Sequence, residues 1–137
     1  MFYEGKVKYV NSLGVTVKED YLVDGCELHG EAETTLLVNA GNNGYTDIDV
    51  LSVKRTKIME FVNNTKSDED YIYYATIASI FLDEKTGKEK ETRYIVAVYA
   101  NDIDSATKYV NEYMKQGLED LKLICIKRTK IVEVIKY

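Results

Sequence analysis

A single histidine, two cysteines, no proline and no tryptophan leave this 137-residue chain with little of the usual catalytic equipment. His29 falls near an expected helix start, and no Ser or Cys occupies a recognisable nucleophile elbow. A one-histidine triad is therefore disfavoured, and a solvated surface imidazole is the simpler reading. Cys26 and Cys125 suggest neither a disulfide framework nor a zinc-ligand spacing, so two buried thiols are expected. Gly41 and Gly44 lack the Lys-Ser or Lys-Thr that completes a phosphate loop. No apolar run approaches the roughly 18 to 20 residues of a membrane span. The first residues enter an alternating pattern with no signal segment. The expected compartment is a reducing cytoplasm, which makes the Asn63-Asn64-Thr65 glycosylation pattern a coincidence.

Carboxylates are plentiful but scattered. Asp47 and Asp49 lie two apart on an expected strand, Asp102 and Asp104 flank an expected helix start, and Asp68-Glu69-Asp70 reads as solvated linker. A metal-dependent hydrolase would need further ligands that the sequence does not nominate. No catalytic residue, metal site or cofactor is expected, and an enzyme is the remote alternative.

What the chain does contain is a repeat. Val53 to Phe61 reads V-K-R-T-K-I-M-E-F, and Ile126 to Val134 reads I-K-R-T-K-I-V-E-V, 73 residues later. Tyr21-Leu22-Val23 and Tyr94-Ile95-Val96 match at the same offset. A duplicated unit follows. At this length one compact domain is the default, and two halves of about 70 residues would each be marginal alone.

Each half reads as β-β-α-β. Tyr3, Val7 and Tyr9 alternate along a first strand, and Val15, Val17, Tyr21 and Val23 along a second. Leu28, Ala32, Leu36 and Ala40 mark a helix stopped by Gly41-Asn42-Asn43-Gly44, and a third strand runs from about Thr46 to Val62. In the second half Tyr71 to Leu82 is apolar on both faces and so central. Asp83 to Lys88 is a hairpin loop and Glu89 to Tyr99 the return strand. Asn101 or Asp102 caps a helix carrying Ile103, Ala106, Val110, Tyr113 and Met114, and Leu118 to Ile135 closes the unit. The expected fold is α+β: tandem repeats (1–62 and 71–137, linker 63–70) in one pseudo-two-fold domain with antiparallel sheet and two helices.

The third strands are far longer than the usual five or six residues. Ile48 and Val50 share parity with Ser52, Lys54 and Thr56, so the apolar face is interrupted mid-strand. A bulge and a bend near Arg55-Thr56 and Arg128-Thr129 are expected, where the strand leaves one set of partners for another.

Glu19 to Gly25 (E-D-Y-L-V-D-G), the hairpin Leu82 to Thr92 and the V-K-R-T-K-I-M-E-F strand resemble a domain-of-unknown-function family. Its members are short proteins of gut Bacteroidota and their phages and mobile elements, and the likeness covers nearly the whole chain. The Lys-Arg pair is usual in the first half of such proteins; the second copy, Lys127-Arg128, departs from the pattern. The family has no established activity, so the resemblance carries over no catalytic residue. It implies a cytoplasmic accessory protein, in the host cytoplasm if phage-encoded.

The net charge of −5 argues against wholesale nucleic-acid binding. Each repeated heptad, Lys54 to Glu60 and Lys127 to Glu133, however, has three basic residues and one acidic. The pair contributes +4 and the remainder of the chain −9. Lys54, Arg55, Lys57, Lys127, Arg128 and Lys130 are the anion-binding candidates, with Tyr71, Tyr73 and Tyr74 as stacking candidates. The structural alternatives are anti-aggregation charges on strand edges, ion pairs with Glu60 and Glu133, and Tyr as ordinary sheet packing. The expected function is non-catalytic binding of single-stranded nucleic acid or a phosphorylated nucleotide. The main alternative is a homo-oligomeric or partner-binding assembly module, and self-association is expected.

Overall fold

Strand alternation and helix periodicity arrange themselves twice into the same four-stranded pattern. The computed structural model describes residues 1–62, 71–117 and 120–137. The linker, the Asn63-Asn64-Thr65 pattern, the Asp68-Glu69-Asp70 run and the start of the last strand at Leu118 lie outside the described residues. The chain divides into two compact units, one of Met1–Lys57 with Lys130–Tyr137, the other of Ile58–Thr129.

The first unit contains β1 (Phe2–Val10), β2 (Thr16–Asp24), α1 (His29–Asn42) and β3 (Thr46–Arg55). The second contains β4 (Ile58–Phe61), β5 (Tyr71–Leu82), β6 (Glu89–Ala100), α2 (Ile103–Lys115) and β7 (Asp120–Arg128). The last strand, β8 (Ile131–Lys136), belongs to the first unit. The sheet orders are β3-β1-β2-β8 and β4-β6-β5-β7, so β5 is an inner strand as its two apolar faces require. The fold is α+β.

Each expected third strand is two strands in different sheets. β3 ends at Arg55, and β4, three residues on, pairs with β6 of the second unit. β7 ends at Arg128, and β8 pairs with β2 of the first. Both of these pairings are parallel, whereas the remaining four are antiparallel. The change of partners expected at Arg55-Thr56 is therefore a change of sheet.

A bulge precedes each change. Lys6 faces Ser52 while Val7 faces Val50, which leaves Leu51 as the extra residue of β3. Thr76 faces Cys125 while Ile77 faces Leu123, which leaves Ile124 extra in β7, 73 residues beyond Leu51. The extra residue shifts the side-chain parity. Val53 thereby joins Ile48 and Val50 against one core, and Ile126 joins Leu121 and Leu123 against the other.

Each helix packs on one face of its own sheet. Ala32 and Leu36 meet Tyr3, Val7, Tyr9, Tyr21 and Val23, and Ala106 and Val110 meet Tyr73, Ala75, Ile77, Val96 and Val98. Ile103, expected on the buried stripe of α2, is instead exposed in its first turn. The Asp102 carboxylate accepts from the Ser105 N–H at 2.7 Å, as an N-cap should. Leu28 at the α1 N-cap cannot do this. There the Glu31 carboxylate accepts from the N–H groups of Glu27 and Leu28 at 3.2 and 3.0 Å. Among the described residues no helix is long and apolar enough to cross a membrane.

Candidate anion-binding strand ends

The threonine of each K-R-T-K segment fixes the end of its strand. The Thr56 N–H and hydroxyl both donate to the Phe2 carbonyl, at 3.0 and 2.9 Å. The Thr129 N–H and hydroxyl both donate to the Ile72 carbonyl, at 2.9 and 2.7 Å. The following Ile58 and Ile131 are buried. Threonine and isoleucine, two of the six residues shared by the copies, are thus accounted for by structure. The basic residues remain at the surface: Lys54, Arg55, Lys57, Lys127, Arg128 and Lys130 are all exposed.

Cross-strand register then separates the two copies. Arg55 lies opposite Tyr3 on β1, and Lys54 opposite Glu4. Opposite charges facing each other on adjacent strands attract. The Lys54 Nζ stands 4.0 Å from the Glu4 carboxylate. In the second unit Arg128 lies opposite Tyr73, and Lys127 opposite Tyr74 rather than an acid. Among the described residues neither Lys127 nor Arg128 forms an ion pair with a carboxylate. The second copy is the less neutralised.

Arg128 has a different neighbour as well. Its position opposite Tyr73 puts its side chain on the face shared by Tyr73 and, diagonally, Tyr71. The guanidinium carbon lies 3.7 Å from the centroid of the Tyr71 ring, a cation–π stack. On the first unit the corresponding diagonal neighbour of Arg55 is Met1, which offers no ring.

The three tyrosine candidates separate accordingly. Tyr73 is only 5% exposed and belongs to the core cluster, so its ring is closed to a ligand. Tyr74 is half-buried, and Tyr71, at 42%, is exposed. Glu60 of the repeat accepts a hydrogen bond from the Tyr113 hydroxyl at 2.9 Å, tying α2 to β4.

The other polar features have structural roles or do not gather. His29 meets the Tyr3 ring edge-on, centroids 5.1 Å apart. Tyr9 stacks on Tyr45 at 3.9 Å, and the hydroxyls of Tyr9 and Tyr21 both donate to the Glu19 carboxylate. Burial, reinforced by the Glu19 charge, pushes both of these phenols well above their ordinary range. Cys26 is buried as expected, while Cys125, expected to be buried, is exposed beside the β7 bulge. Among the described residues no three His, Cys, Asp or Glu side chains converge as a metal site would require.

Sequence reading named the basic residues but missed Glu4, which distinguishes one Lys-Arg pair from the other. Its signal was the pairing of Tyr3-Glu4 with Tyr73-Tyr74 at a spacing of 70 residues, visible only once strand register is known. The chain belongs to the family described as a domain of unknown function (DUF4494), which matches residues 1–137. No curated protein and no solved structure matches it.

Proposed function

We propose that the protein is a non-catalytic binder of single-stranded nucleic acid or a phosphorylated nucleotide, working in the cytoplasm. The observation that carries this reading is the pair Lys127 and Arg128. Both are exposed at the end of β7, with no carboxylate partner among the described residues and with aromatic side chains across the strand. An uncompensated Lys-Arg pair on an otherwise acidic chain concentrates positive potential where a phosphate can approach. Arg supplies a planar fork for phosphate oxygens and Lys a point charge. In the other unit Arg55 and Lys57 are likewise exposed, with Lys54 partly offset by Glu4.

Fluorescence anisotropy with a labelled single-stranded oligonucleotide at low salt tests the reading. Affinity is expected to fall steeply as salt rises, because each phosphate contact releases counterions. Arg128→Glu is expected to weaken binding more than Arg55→Glu, and the double variant to abolish it. Absence of binding to oligonucleotides and nucleotides at low salt defeats the proposal.

A second reading has one observation in its favour. A groove of about 380 Å³ runs between α1 and β8, the last strand of its sheet, lined by Val38, Asn39, Ile135 and Tyr137 among others. Val38 is 55% exposed there. An apolar helix–strand groove at the edge of a sheet suits self-association or a partner segment. Light scattering that shows an oligomer insensitive to the Arg55 and Arg128 reversals favours this assembly role.

A further inference from the structure

We infer that the Tyr71–Arg128 stack is a platform for an unpaired nucleobase, the ligand feature that distinguishes the second basic segment from the first. This rests on the anion-binding reading above and deepens it. Three observations on one strand end carry it.

The first is geometric. Arg128 lies 3.7 Å above the Tyr71 ring, so its guanidinium is held over a surface of the same planar kind as a base. A guanidinium packed on a ring has already lost much of its rotamer freedom, which lowers the cost of ordering it around a ligand. It presents a flat face for stacking and an N–H edge for a phosphate oxygen. The second observation is accessibility. Arg128 is exposed and Tyr71 is 42% exposed, whereas Tyr73 is buried in the core. The third is the contrast with the other copy. Arg55 occupies the equivalent register position but has Met1 as its diagonal neighbour, and the adjacent Lys54 faces Glu4. A need for surface charge at this position is met equally by both copies. Only the second adds an aromatic ring under the arginine.

The structural alternative is a surface cation–π contact that closes the end of β5 and β7. It makes no difference between ligands with and without bases. The shared chemistry of the proposed ligands is a base next to a phosphate, and the test separates their sources. Anisotropy is measured with a labelled oligothymidylate, with an abasic strand of the same number of phosphates and with a duplex. A thymidine mononucleotide is tested by competition.

The oligothymidylate is expected to bind more tightly than the abasic strand and the duplex. Tyr71→Leu is expected to weaken oligothymidylate binding about tenfold, the scale of one stacked base, and abasic binding by much less. Tyr71→Phe should retain binding. Arg128→Lys keeps the charge but not the plane, and should lose the preference for bases. Circular dichroism and thermal melting establish that each variant is folded. Equal competition by the mononucleotide, with the same Tyr71→Leu loss, supports the platform and assigns it to nucleotides. Equal affinity for the oligothymidylate and the abasic strand overturns the platform and leaves the phosphate reading standing. Failure of every ligand to bind overturns both.

Discussion

At the scale of single residues, packing decides more than charge. Gly5 sits in the middle of β1, buried, with the Leu36 side chain of α1 directly above it. A Cβ at this position would collide with the Leu36 methyl groups, so the glycine sets how closely α1 approaches the sheet. Gly5→Ala is therefore expected to destabilise by about 1 to 3 kcal/mol, the range for overpacking a core. Leu36→Ala alone should cost about 2 to 5 kcal/mol. The double variant should cost less than the sum, which a double-mutant cycle from urea unfolding measures. The Tyr9 and Tyr21 phenols give a second prediction. Their folded pKa values are raised by burial and by Glu19, so the unfolded chain releases these protons first as pH rises. Their contribution is fully present below the unfolded value of about 10 and is lost as pH climbs above it. Absorbance at alkaline pH should show these two phenols ionising only with unfolding. Ionisation of Tyr9 and Tyr21 ahead of unfolding would contradict the buried hydrogen-bonded pair.

At the scale of the element, the K-R-T-K segment is a strand terminator before it is anything else. Thr56 and Thr129 each use two donors on one carbonyl, and the chain then enters another sheet. Thr56→Val and Thr129→Val each remove one side-chain hydrogen bond and are expected to cost about 0.5 to 1.5 kcal/mol. Serine at either position should restore most of it, as read from chemical denaturation midpoints. If valine is neutral at both positions, the threonine hydroxyls do not hold the strand ends. Much of this was legible in the sequence. Alternating residues exposed the strands, four-residue spacing the helices, and the parity break at Ser52 the bulge, because each is a local pattern. The destinations of β4 and β8 were not legible. Alternation reports which face a side chain occupies and says nothing about which strand lies alongside. The same limit hid the difference between the two Lys-Arg pairs. That difference depends on Glu4 facing Lys54 and Tyr74 facing Lys127, which is a matter of register.

At the scale of the whole molecule, the consequence of two sheet changes is that neither repeat holds a complete unit. The first repeat supplies β1, β2, α1 and β3 to one unit but gives β4 to the other, and the second repeat returns β8. Cutting the chain between the repeats therefore removes the strand that pairs with β2 and leaves β4 without its partner β6. A fragment of about 60 residues is marginal even with an intact core, and here its sheet lacks one edge strand. Residues 1–62 alone are expected to give no folded monomer, being unfolded or self-associated. Because β4 and β8 share the I-x-E pattern, one copy's β4 could dock beside another copy's β2, which favours self-association at high concentration. Mixing 1–62 with 71–137 in equal amounts should restore the sheet spectrum and a single unfolding transition, by mass action between the two pieces. Circular dichroism with analytical ultracentrifugation decides the matter. A folded, monomeric 1–62 would mean that β8 is dispensable to the first sheet. Failure of the mixture to recover structure would mean that the covalent connection through the linker, and not only strand exchange, is what brings the two repeats to the folded state.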